Sequence, residues 1–272
     1  MTMMRLIAPL IAVALFIGCF DLDNSIFNND TLSSYNLPTS VIPDSMRTEI
    51  VMTSQGKKIY GYFVRSIDPA ERNVILYNHG NRDHLQFYWD RVEFFYRMGF
   101  SIFVYDYQGY GKSEGTPSEA AVYSDAIAAY NYVRSRGFSD DEISVYGFSL
   151  GGAPAVHLAS GVFTPKKLIL EGPFASASVL TQSATLLDLP STYMMNGEYN
   201  NAEKIKRSVA PLLIIFGEND LFIDIHKNGR VIFANANDPK EFMTVKDAGH
   251  SNIPAVMGVD AYIAAVRQFI RQ

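Results

Sequence analysis

The amino-acid sequence predicts an α/β protein in which a mostly parallel, twisted sheet carries helices on both faces. Two observations predict it. Short runs that are apolar almost throughout, Asn73–Asn78 (NVILYN) and Ser101–Tyr105 (SIFVY), suit strands buried on both faces. Helical stretches separate such runs, so strand and helix alternate five or six times, as a parallel sheet with crossover helices requires. The 272 residues are 48% hydrophobic and 19% charged, enough for one large core, and α/β chains of this length commonly form one domain.

The elements follow in order. Thr48–Met52 and Lys58–Val64 carry β-formers around Ser54-Gln55-Gly56 and predict a hairpin. After NVILYN, Leu85–Met98 is a helix stopped by Gly99, and SIFVY is the next strand. Ser118–Arg136 is helical, with Ser118 placed as N-cap and Gly137 ending it. Ile143–Tyr146 is a strand and Leu150–Ala159 a helix; Leu168–Leu170 and Leu212–Phe216 are further strands. Phe242–Val245 is the last strand and Val256–Ile270 the closing helix. No fixed-period repeat occurs.

The first residues differ in texture. Arg5 is the only charge before the apolar run Leu6–Phe20, which is short for a membrane span and suits a signal-peptide core. Leu15-Phe16-Ile17-Gly18-Cys19 resembles a bacterial lipobox, although Phe16 stands where leucine is usual. The resemblance implies that residues 1–18 are a lipoprotein signal peptide and that Cys19, once exposed by cleavage, is lipidated. The protein is then expected in the bacterial cell envelope, anchored to a membrane through Cys19. An ordinary secretory signal or an uncleaved anchor would leave Cys19 incidental. Residues 19–45, rich in Asn, Asp, Ser and Pro, are expected to be a flexible tether, and 46–272 the folded domain. One cysteine allows no internal disulfide. A net charge of −5 with no basic cluster argues against a nucleic-acid partner.

Val145–Gly152 (VYGFSLGG) joins a predicted central strand to a predicted helix. Gly-x-Ser-x-Gly at that junction is a nucleophile elbow, a turn so tight that the serine's neighbours must be small. It lifts Ser149 above the strand ends, where open α/β sheets bind ligands, and sets it at a helix N-terminus that favours developing negative charge.

With this elbow, NHGNRDH (Asn78–His84), DYQGYGKSEG (Asp106–Gly115), GEND (Gly217–Asp220) and AGH (Ala248–His250) fall in the order seen in α/β-hydrolases. Residues 46–271 resemble the esterase, acylglycerol-lipase, depalmitoylase and aminopeptidase-like branch of that superfamily. The resemblance implies the α/β-hydrolase fold, with about eight strands and a small cap near residues 173–208. Pro154 departs from the usual small or aliphatic residue of the nucleophile helix, but within its first turn or so, where proline costs least. Serine is a weak nucleophile at neutral pH and needs an adjacent base. The family order Ser…Asp…His implies Ser149, Asp220 and His250 as nucleophile, orienting acid and general base. His157 lies too far down the nucleophile helix, and His226 could rim the pocket. Glu218 and Asp224 compete with Asp220, which the Gly-x-x-Asp pattern favours; Asp224 suits a helix N-cap. The oxyanion hole is assigned to the backbone N–H groups of Asn81 and Leu150. His79 is expected to be structural, and Asp106 with Gly109-Tyr110-Gly111 to buttress the oxyanion loop.

No His-x-x-x-His or Glu-x-x-His pair provides metal ligands, and no cofactor is expected. The cap segment holds Phe174, Leu180, Leu186, Leu187, Leu189, Tyr193, Met194 and Met195, which suit an acyl chain or simply pack the cap on the body. Lys204, Lys206 and Arg207 read as a solvated helix face. The expected activity is cleavage of a small acyl ester, or a thioester, through an acyl-enzyme. The alternatives are a serine peptidase or amidase, for which Glu198 and Glu203 are the nearby glutamates, and a silent surface binding protein on the same scaffold.

Overall fold

The apolar runs line up as one eight-stranded sheet in the computed structural model, which describes residues 27–183 and 197–272. The signal-peptide segment, Cys19, and the cap residues Leu186, Leu187, Leu189, Tyr193, Met194 and Met195 lie outside the described residues. The strands are β1 (Arg47–Ser54), β2 (Lys57–Val64), β3 (Val74–Asn78), β4 (Ser101–Tyr105), β5 (Ile143–Phe148), β6 (Lys167–Glu171), β7 (Leu212–Gly217) and β8 (Lys240–Val245). Their spatial order is β8-β7-β6-β5-β3-β4-β2-β1. The β1–β2 hairpin pairs antiparallel, as does β2 with β4, and every other pairing is parallel.

Alternate residues of each strand feed opposite faces, because a strand's side-chain period is two. Val74 and Leu76 of β3 join the core under helices α2 (Glu119–Ser135) and α3 (Gly152–Gly161). Ile75 and Tyr77 join the core under α1 (Trp89–Arg97) and the C-terminal helix. Ser118 caps α2, its hydroxyl accepting from the Ala121 N–H at 3.1 Å.

Most boundaries shift by a residue or two, and two expected helices differ in kind. Leu85–Tyr88 is a 3-10 turn leading into α1. The closing helix starts at Val259, not Val256, because Gly258 takes φ +87° and separates Ile253–Met257 from Val259–Arg271.

The described part of the expected tether, residues 27–45, is not free: it lies on the domain. Phe27, Leu37 and Ile42 are buried, and Asn28–Asn29 pairs in parallel with Arg82–Asp83. Burying one such apolar side chain contributes roughly 1.5–3 kcal/mol toward the entropy cost of ordering a polar segment.

Register fixes the working edge. Asn78 lies opposite Gly147, Phe148 opposite Glu171, and Gly217 opposite Val245. The carboxyl ends of β3, β5, β6, β7 and β8 thus share one rim.

Candidate active site

Ser149 follows β5 directly and adopts φ +51°, a left-handed conformation that a non-glycine residue holds only under constraint. The constraint is steric crowding met by glycines. A Cβ on Gly147 would lie 2.4 Å from the Gly151 carbonyl oxygen, and one on Gly151 would lie 2.0 Å from that of Asn78. The second contact also sets the β3 loop directly against the elbow. Ser149–Gly151 forms a 3-10 turn into α3, and Pro154 is the third residue of that helix, so the sequence departure is absorbed without breaking it.

Two loops bring the partners of Ser149. The β7 loop carries Asp220, whose Oδ1 accepts the backbone N–H groups of Phe222 (2.9 Å) and Ile223 (2.8 Å). The β8 loop carries His250; the Gly249 N–H donates to Asn252 Oδ1 at 2.7 Å, and the Asn219 N–H reaches across to the Ala248 carbonyl at 2.8 Å. His250 Nδ1 stands 2.7 Å from Asp220 Oδ2 and Nε2 stands 2.9 Å from Ser149 Oγ. A carboxylate can only accept, so Nδ1 carries the proton and Nε2 is left to accept from the serine hydroxyl. The imidazole lies between the rings of Phe148 and Phe222, at centroid distances of 5.3 and 5.2 Å. Asp220 is buried, while the His250 side chain keeps 18% of its surface open to the rim. The sequence brings all three predicted side chains to one point.

The competitors lie elsewhere. His157 stacks on Tyr123 at 4.2 Å, His226 and Glu218 are exposed, and Asp224 Oδ1 accepts the Lys227 N–H at 2.8 Å as a cap would. Lys204 and Lys206 are paired with Glu119 and Glu203, and Arg207 is exposed. Phe174 and Leu180 pack on the core.

The loop after β3 is held on both sides of Asn81. His79 Nδ1 donates to the Gly80 carbonyl at 2.7 Å, and Nε2 lies 3.2 Å from Asp106 Oδ1, both side chains being fully buried. In a trans peptide the carbonyl and the following N–H point opposite ways, so this bond aims the Asn81 N–H. Tyr110 donates to the Asn81 carbonyl (3.1 Å) and to its side-chain Oδ1 (2.7 Å). The Leu150 N–H belongs to the 3-10 turn that opens onto the nucleophile helix, where amides have no helical carbonyl one turn earlier to meet.

Sequence reasoning missed a second buried cluster beneath this rim. Glu171, the last residue of β6, is fully buried and accepts from Arg91 Nη2 at 2.9 Å and from the Tyr262 hydroxyl at 2.7 Å, and Tyr146 donates to the same carboxylate. Arg91 Nη2 also reaches the carbonyl of Ser251, beside His250, at 3.4 Å. Among the described residues, no group of three or more His, Cys, Asp or Glu is placed to hold a metal ion.

An eight-stranded sheet with a strained serine at the end of a central strand, and acid and imidazole on the loops that follow the last two strands, defines the α/β-hydrolase class. Comparison with known proteins agrees. Residues 69–196 match the Hydrolase_4 family model, described as serine aminopeptidase, S33. The chain is 32% identical over 235 residues to alpha/beta hydrolase domain-containing protein 17B of Xenopus laevis, covering 84% of this chain and 76% of that protein. The human protein of the same name matches with the same identity and coverage. In structure it is similar to an esterase of Pyrococcus furiosus, with TM-score 0.75, 18% identity, and coverage of 90% of this chain and 97% of that one. An alpha-beta hydrolase of Vibrio vulnificus gives TM-score 0.68 at 20% identity, covering 82% of each chain. The chain belongs to the α/β-hydrolase family.

Proposed function

We propose that this protein is a serine hydrolase that cleaves carboxylic esters, and in second place thioesters, through an acyl-enzyme. The observation that carries this reading is the chain of contacts Asp220–His250–Ser149, at 2.7 and 2.9 Å. Ser149 Oγ attacks the acyl carbon while His250 Nε2 takes its proton; the imidazolium so formed is stabilised by Asp220 and then protonates the leaving alkoxide or thiolate. Water, activated by the same imidazole, releases the acid and frees Ser149. The oxyanion is received by the N–H groups of Asn81 and Leu150, each such donor contributing ~3–4 kcal/mol to transition-state stabilisation. Cys19 is the membrane anchor in this reading, with the domain in the bacterial cell envelope.

The family model's description gives specific support to a second reading, an aminopeptidase. That activity needs a carboxylate to receive a free amino terminus. Of the two glutamates expected near the cap, Glu203 is paired with Lys206 at 2.7 Å and Glu198 is exposed, which favours the ester reading. Purified protein should turn over p-nitrophenyl butyrate faster than aminoacyl p-nitroanilides and should label with a fluorophosphonate. Ser149→Ala and His250→Ala should each abolish turnover with the thermal midpoint nearly unchanged. Full activity in either variant removes that residue from the mechanism, and an unlabelled wild type favours a silent binding protein.

A further inference from the structure

The segment Phe27–Tyr35 is not accounted for by the chemistry above, yet it touches the loop that carries Asn81 by three routes. The first is direct: the Asn28 N–H donates to Asn81 Oδ1 at 3.2 Å, the same atom that accepts from Tyr110. The second is a short ladder, with Asn28 opposite Arg82, Asn29 opposite Asp83, and the Asp30 N–H donating to the Asp83 carbonyl at 3.0 Å. The third passes through a buried carboxylate. Tyr35 donates to Asp106 Oδ2, while Asp106 Oδ1 accepts the Leu85 N–H at 2.6 Å and faces His79 Nε2. Burial, and then the Asp106 charge, push the Tyr35 pKa up, so the hydroxyl remains a donor.

The segment is tied down on its other side as well. Asn29 Nδ2 donates to the Gly109 carbonyl at 2.6 Å, the Gly111 N–H to the Asp30 carbonyl at 2.7 Å, and the Leu32 N–H to the Gly111 carbonyl at 2.8 Å. Phe27 packs edge-on against Tyr110, centroids 6.4 Å apart. Tyr110 is the side chain that holds the Asn81 carbonyl. A displaced segment would therefore remove one of the two bonds to Asn81 Oδ1, uncover the Tyr110 ring and free one oxygen of Asp106 together.

We propose that Phe27–Tyr35 is a positioning strap for the oxyanion loop, fixing the direction of the Asn81 N–H through Asn28 and, by way of Asp106, through Tyr35. The proposal rests on Asn81 as an oxyanion donor. A donor helps only when it is already aimed at the position where charge develops, and a loop aimed from outside loses that alignment when the strap is altered. The strap then acts on the transition state and not on ground-state binding.

The test uses the full chain with Tyr35→Phe, which keeps the ring and removes the hydroxyl, and Asn28→Pro, which removes the donor N–H. Asn81→Pro is the reference, because it deletes the proposed oxyanion donor itself. kcat and KM are measured on p-nitrophenyl butyrate, with the Ki of an alkyl trifluoromethyl ketone, whose serine adduct carries the oxyanion, and the thermal midpoint. In each strap variant kcat should fall about 10-fold and Ki rise by the same factor with KM held within about twofold, part of the 10²–10³ lost when a donor is removed outright. Wild-type kcat and Ki in Tyr35→Phe, beside a crippled Asn81→Pro, overturns the strap and leaves the oxyanion hole standing, and this holds even where Asn28→Pro does not fold. Full activity in Asn81→Pro overturns the oxyanion assignment and the strap with it.

Discussion

Removing Arg91 should be among the costliest single changes in the molecule, although the residue lies outside the proposed triad. The Arg91 side chain is 7% exposed and, among the described residues, is the one basic group paired with Glu171, whose side chain is wholly buried. Burial works against the guanidinium charge, but the Glu171 carboxylate beside it, with lesser help from Tyr262, Tyr77 and Asp90, raises its pKa well above the ordinary value. Arg91→Met keeps the aliphatic stem and leaves a carboxylate in the core with only the hydroxyls of Tyr146 and Tyr262. Breaking a buried pair from one side costs ~3–5 kcal/mol. At about 2–4 °C per kcal/mol for a domain of this size, the thermal midpoint should fall by roughly 6–20 °C. Trp89, the single tryptophan, is buried two residues from the lesion along α1, so urea unfolding followed by its fluorescence reads the change directly. The double variant Arg91→Met, Glu171→Leu should recover at least half of the loss, because the two tyrosine hydroxyls, 2.6 Å apart, can still bond each other. An Arg91→Met protein within about 1 kcal/mol of wild type, or a double variant as unstable as the two single ones combined, would refute this account of the cluster.

Two further outcomes test other parts of the chain. The Glu142 carboxyl is held down to about 2, chiefly by the Arg72 hydrogen bond, which outweighs the opposing effect of burial and is helped by the Ser139 N–H. Its folded pKa is below the unfolded one, so the contribution is present above pH ~4.3 and is lost as pH falls toward 2. The midpoint difference between wild type and Glu142→Gln should shrink across that window, and a difference constant from pH 7 to 2 would exclude the pair as its source. For the anchor, metabolic labelling with a palmitate analogue should fail in Cys19→Ala; labelling that persists would rule out Cys19 as the lipidated residue.

What could be read from the sequence was what is encoded locally. Each central strand is a run of apolar residues buried on both faces, so NVILYN and SIFVY announced β3 and β4 without reference to anything distant. The elbow is legible for the same reason: Gly147, Ser149 and Gly151 meet a steric demand set within one turn. Asp220 and His250 were proposed from the family order Ser…Asp…His, in which order along the chain stands in for position around a sheet, each following its own strand. The strap escaped notice because residues 27–45 carry few apolar anchors among many Asn, Asp and Ser, and their partners are 50–80 positions away. Arg91 and Glu171 are also 80 positions apart, each in an otherwise ordinary pattern. The start of the last helix was misplaced because Gly258 acts through a positive φ, which composition does not reveal.

These differences in reach describe how the site is held. Ser149 is fixed by its own neighbours, since the glycines beside it leave one way for the chain to turn. Asp220 is fixed by the amides of Phe222 and Ile223, two and three residues on. His250 has a local support in Asn252 and longer-range ones in Asp220, Phe148 and Phe222. The loop that carries Asn81, the proposed oxyanion donor, depends most on distant partners: Asp106, Tyr110 and the N-terminal segment. Local constraints survive partial unfolding because their loop-closure cost is small, whereas a contact spanning fifty residues or more is lost when either segment lifts. If the proposed mechanism holds, conditions that loosen the N-terminal segment should therefore erode oxyanion stabilisation before they disturb the Ser149–His250 contact, so that kcat falls while Ser149 stays in reach of the imidazole.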